Sequence, residues 1–129
     1  MRSRCLRNQR SNLLNMWGDS IPLDRLKEKM TRENLWIYIL SLLNEGPKYP
    51  YELDSLIEKR FGWRPAKVTS YIVLRSLKSK GLVKMTKRRG ESGRMRDYFE
   101  ITDAGKEMLE KGLEFIKQTY EKLSGKDIC

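Results

Sequence analysis

The sequence predicts a mainly α-helical fold carrying one small β-hairpin. Three observations lead there: successive segments repeat apolar residues at spacings of three and four, a stretch beyond Gly81 alternates instead, and Gly or Pro marks most junctions. With 129 residues and 39% hydrophobic content, the chain has material for one core and short extensions.

Residues 1–19 mix Arg, Asn, Ser and Leu without a period and read as a flexible basic arm. Residues 20–31 form a short amphipathic helix, with Pro22 in the first turn and Leu23, Leu26 and Met30 on one side. Thr31 is placed as the cap of a second helix starting near position 32, which runs through LWIYILSLL and stops at Gly46-Pro47. Being apolar almost all round, that helix should be the central one. A third helix, PYELDSLIEKRF, puts Leu53, Leu56, Ile57 and Phe61 inward and Glu52, Asp54, Ser55, Glu58 and Lys59 on its polar side, with Gly62 as the stop.

After Trp63-Arg64-Pro65 a further helix runs from about Ala66 to Lys80, anchored by Leu74 and Leu77. At about 100° per residue, Val68, Thr69, Ile72, Arg75, Ser76 and Ser79 fall on its opposite side. LVKMTKR and MRDYFEI then alternate around RGESG, a hairpin with a Gly-rich loop. Thr102 and Asp103 offer caps for a last helix, whose stripe Ala104, Met108, Leu109, Leu113, Ile116, Tyr120 and Leu123 lasts roughly five turns. So long a stripe exceeds what a small core covers and implies a partner helix. Gly112 on that stripe marks either a close approach of another helix or a weak point.

Charge narrows the function. Lys and Arg number 27 against 17 Asp and Glu, giving a net +10 that favours a polyanionic partner. Helices followed by a basic hairpin are ordered as in a winged helix-turn-helix, whose recognition helix enters the major groove while the wing follows the backbone. On that reading Lys67, Val68, Thr69, Tyr71, Ile72 and Arg75 face DNA from the recognition helix. Val68, Tyr71 and Ile72 could equally pack against a neighbouring helix. Lys84 and, above all, Lys87, Arg88, Arg89, Arg94 and Arg96 supply phosphate contacts from the wing, with only Glu91 and Asp97 nearby to balance them. Residues 32–102 make up the DNA-binding domain and 103–129 a C-terminal dimerisation helix and tail.

From about Leu35 to Leu113 the chain resembles the PadR family of transcription regulators. The resemblance rests on Tyr51, Glu52 and Leu53; on Thr69, Tyr71, Leu74, Leu77, Gly81 and Leu82; and on Arg96, Tyr98, Ile101, Thr102, Ala104 and Gly105. It departs at Tyr49-Pro50, where the family usually has histidine-glycine, and at Val68 and Ile72, which replace a common glycine and proline. The resemblance implies a winged-helix homodimer, joined mainly through terminal helices, that represses from near-palindromic double-stranded DNA sites. Leu23, Leu26, Met108, Leu109, Gly112, Leu113, Ile116 and Tyr120 are the expected dimer contacts.

Other classes find less support. There is no His at all, no nucleophile with a base and no phosphate-cradling loop, so no enzyme activity is expected. Cys5 and Cys129 sit at opposite ends without metal-ligand spacing; no metal or cofactor is expected. The apolar run Leu35 to Leu43 is far shorter than the ~20 residues a membrane span needs, and no secretory signal appears, which suggests a cytoplasmic protein. The alternative function is an architectural DNA-binding or protein-interaction module without strict sequence choice. A small-molecule effector is left open, with Trp17, Trp36 and Trp63 either lining an aromatic pocket or serving as structural tryptophans.

Overall fold

The computed structural model describes residues 21–125. The arm at 1–19, Trp17, Cys5 and Cys129 lie outside the described residues. Residues 34–112 form one compact unit, and 21–33 with 113–125 belong to another.

In the flanking unit, α1 (Pro22–Met30) begins at Pro22, which lacks the N–H that a helix start leaves unused. Leu23, Leu26 and Met30 are all exposed. Thr31 does not cap the next helix. Its hydroxyl donates back to the Lys27 carbonyl at 2.6 Å, closing α1, and a short 3₁₀ turn at Arg32–Asn34 intervenes before α2 (Leu35–Leu43). A back-bonded threonine satisfies the end of its own helix, which a forward reading of cap residues does not distinguish.

Within the compact unit α2 is central, as its composition predicts. Leu35, Ile39, Leu40, Leu42 and Leu43 are buried, and Trp36, Ile37 and Tyr38 pack against the same core. The helix α3 (Pro50–Phe61) contributes Leu53 and Ile57 and ends at Gly62, whose φ of 82° is open to a residue without Cβ. Trp63 and Phe61 both meet the Tyr38 ring edge-on, at 5.1 and 4.9 Å between centroids, so Trp36 and Trp63 both serve the core packing.

Next, α4 (Lys67–Ser79) packs on α2, α3 and the hairpin through Leu74 and Leu77. Strands β1 (Val83–Arg89) and β2 (Met95–Ile101) pair antiparallel, with Val83 opposite Ile101 and Arg89 opposite Met95. In that register Val83, Met85, Phe99 and Ile101 share one face and join the core, which fixes the hairpin's orientation. A bridge between Lys48 and Phe99, with N–H···O distances of 3.1 and 2.8 Å, adds the segment before α3 to the sheet.

The last helix, α5 (Asp103–Leu123), starts as the sequence predicts. The Thr102 hydroxyl accepts from the Gly105 N–H at 3.1 Å and donates to the Gly81 carbonyl at 2.7 Å. One side chain thereby caps α5 and ties it to the turn after α4.

One expectation is corrected by the packing. Asp54, read as part of the polar side of α3, is only 4% exposed and accepts a 2.6 Å hydrogen bond from Ser70, itself 2% exposed. Burying a carboxylate requires a donor, and that donor comes from the next helix.

Candidate nucleic-acid interface

The candidate surface is built on α4. Val68 and Ile72 are 70% and 60% exposed, and Lys67, Thr69, Tyr71 and Arg75 are exposed with them. Val68, Tyr71 and Ile72 are thus not packed against a neighbouring helix among the described residues. Ser70, Leu74 and Leu77 hold the other side in the core, so α4 cannot rotate that face away without unburying them.

Two depressions bracket the face. One, about 370 Å³, is lined by Ile72, Arg75, Ser76 and Ser79. The other, about 190 Å³, includes Tyr51, Arg64, Lys67 and Tyr71 around Asp54. Tyr51 and Arg64 had no part in the sequence-based site. They reach it because the turn between α3 and α4 folds Arg64 back, where it pairs with Glu58 at 2.9 Å and sits 5.4 Å over the Tyr51 ring. Burial pushes the Asp54 carboxyl up from its usual range, against the Ser70 hydrogen bond and the charges of Arg64 and Lys67.

The wing lies beside this face. Lys87 is bonded to Asp97 at 2.8 Å, which holds its ammonium pKa up, and strand β1 that carries it packs on α4. The Gly90–Arg94 loop closes through the Gly90 N–H on the Arg94 carbonyl at 2.8 Å, with Gly93 at φ 84°. Arg89 donates to the Gly93 carbonyl, which stiffens the tip. Arg94 is exposed there.

The wing cations are more engaged than their sequence suggests. Glu100 reaches Arg88 at 3.6 Å, a third acidic group beside Glu91 and Asp97. Arg96 is half-buried against the Tyr49 ring, its guanidinium 4.3 Å from the centroid. It is a less open phosphate donor than Arg89 or Arg94.

The family model of the PadR-like transcriptional regulators matches residues 39–111, more than half of the chain and nearly the whole compact unit. The chain belongs to the PadR-like family. A PadR family regulator from a hypervirulent Clostridium difficile is 30% identical, with a TM-score of 0.59 over 70% of this chain and 97% of that one. One from Eggerthella lenta is 27% identical, with a TM-score of 0.63 over 81% and 94%. Bacillus subtilis PadR, solved in complex with operator DNA, shares the fold at 23% identity, with a TM-score of 0.57 over 71% and 60%. No curated protein matches. Membership in this family makes the chain a transcriptional regulator rather than an enzyme, and the fold is the family's winged helix-turn-helix. No helix among the described residues is long and apolar enough to cross a membrane.

Two residues expected at a dimer contact of this PadR-like chain are taken up by its own core. Leu109 is 5% exposed within the compact unit. A Cβ at Gly112 would stand 2.8 Å from Ile37 Cδ1 and 2.9 Å from Trp36, so the close approach there is made by α2 of the same chain. Leu23 and Leu26 on α1, and Met108, Leu113, Ile116 and Tyr120 on α5, stay exposed.

Proposed function

We propose that this PadR-like regulator binds double-stranded DNA sequence-specifically as a homodimer and represses transcription from near-palindromic sites in the cytoplasm. The observation that carries this reading is the exposed α4 face, Val68, Thr69, Ile72 and Arg75, on a helix that packs against strand β1 of the basic wing. Base edges need donors and apolar groups on a rigid element, and phosphates need cations nearby; this face offers both. The Bacillus subtilis structure with operator DNA supports the use of such a fold on an operator.

The homodimer is supported by the exposed apolar residues Leu113, Ile116, Tyr120 and Leu123 on α5. Selection of binding sites from a random duplex library with the full chain tests the reading. Inverted repeats should be enriched and bound about 10³-fold or more tighter than scrambled duplex. Equal binding of both would instead make the protein an architectural DNA binder.

A further inference from the structure

The outward face of the hairpin pairs Arg88 on β1 directly with Arg96 on β2. Like charges at directly opposite positions repel and would splay both side chains. Here each guanidinium lies against an aromatic ring, and Arg88 is also paired with Glu100 at 3.6 Å. Arg88 lies 5.4 Å from the Tyr98 centroid, Tyr98 meets Tyr49 edge-on at 5.5 Å, and Arg96 lies 4.3 Å from the Tyr49 centroid. These contacts link Arg88, Tyr98, Tyr49 and Arg96 in series.

Tyr49 is the member of this series that is not on the hairpin, and its backbone is fixed from both sides. Its N–H donates to Glu52 at 3.4 Å in the first turn of α3, and its neighbour Lys48 is bridged to Phe99 of β2. The ring therefore joins the start of α3 to the wing.

We infer that Tyr49 is a positioning residue for DNA binding: it holds the half-buried Arg96 guanidinium on its ring, so that this cation of the wing is already ordered when the wing meets phosphates. The inference rests on the DNA-binding reading above. Ordering a long cationic side chain before contact removes an entropy cost that would otherwise fall on binding. A cation on a half-buried, still solvent-reached ring corresponds to about a two- to five-fold effect on affinity.

Fluorescence anisotropy with a labelled mixed-sequence DNA duplex and the full chain tests this, with thermal unfolding followed on each variant. Tyr49→Leu should weaken binding about two- to five-fold, Tyr49→Phe should bind like the parent, and in an Arg96→Gln background Tyr49→Leu should cost nothing further. An equal loss with and without Arg96, or a phenylalanine variant as weak as the leucine one, would overturn the inference. Without DNA, the Arg96 Nε–H proton should carry a ring-current shift that is kept in Tyr49→Phe. Its absence from the parent and Tyr49→Phe spectra also overturns the inference, even if the leucine variant fails to fold. A parent that binds no duplex sinks the regulator reading and this inference together. A parent that binds no better than a folded Tyr49→Leu variant sinks only the inference.

Discussion

The Ser70 hydroxyl donates a 2.6 Å hydrogen bond to Asp54, crossing from α4 to α3 beneath the exposed face of α4. Both residues are buried, so the angle between the two helices rests partly on a polar contact inside an apolar core. Removing the donor leaves a buried carboxylate short of a partner. Ser70→Ala should therefore cost about 1–3 kcal/mol of stability in denaturant titrations.

The same carboxyl gives stability a pH dependence. Its folded-state pKa is raised, chiefly by burial, so the folded chain holds the proton more tightly than the unfolded chain. Stability from this group is fullest below the ordinary carboxylate pKa and falls as pH rises through the raised folded value. Asp54→Asn removes that titration and can keep a bond from Ser70. Its melting temperature should exceed the parent's at neutral pH, and the gap should close on acidification. A gap that widens on acidification would show Asp54 to be stabilised as an anion.

The glycines of α5 separate two kinds of close packing. A Cβ at Gly105 would stand 2.1 Å from the Leu82 carbonyl oxygen, a backbone atom that cannot move without disturbing the start of β1. Gly105→Ala should destabilise by about 3 kcal/mol or more. At Gly112 the obstructing atoms are the tips of Ile37 and Trp36, and alanine gains about 1 kcal/mol of helix propensity. Gly112→Ala should cost clearly less in the same thermal melts.

These cases also mark how far the sequence could be read. The helices and hairpin were legible because burial imposes periods of 3.6 and 2, and α2 to α5 follow them. Asp54 was not: its burial depends on a hydroxyl sixteen positions away, which no local period encodes. Gly112 had a close neighbour, but whether that neighbour was α2 or a second chain depends on tertiary placement. Helical geometry put Val68 and Ile72 opposite Leu74 and Leu77, but whether another helix covered them depended on tertiary placement. Tyr49 and Arg96 meet only because of the hairpin register and the Lys48–Phe99 bridge, so their stacking left no mark in the sequence.

The wing and α4 should fail differently when altered. Arg94→Ala, at the exposed tip, should weaken binding to all duplexes about equally and lower the salt slope by roughly one. Thr69→Ala or Arg75→Ala should relax preference at particular base pairs, by about 1–3 kcal/mol each. Anisotropy over a salt series, on a selected and a scrambled duplex, separates the two. Identical behaviour of all three variants would remove the division of labour between helix and wing.

Assembly is tested on the exposed apolar residues in the second half of α5. Leu113 and Ile116 are exposed and lie three residues apart, hence on one side of the helix, while Leu109 of the same stripe is already buried. Replacing both Leu113 and Ile116 by Asp should leave the compact unit folded, because neither belongs to its core. A charge pair facing its symmetric copy would be repelled and desolvated, so the variant should sediment as a monomer where the parent is a dimer. Each monomer would then engage one half-site, and affinity for an inverted repeat should drop toward that for half of it. If the parent itself sediments as a monomer at micromolar concentration, the apolar residues on α5 serve some other contact.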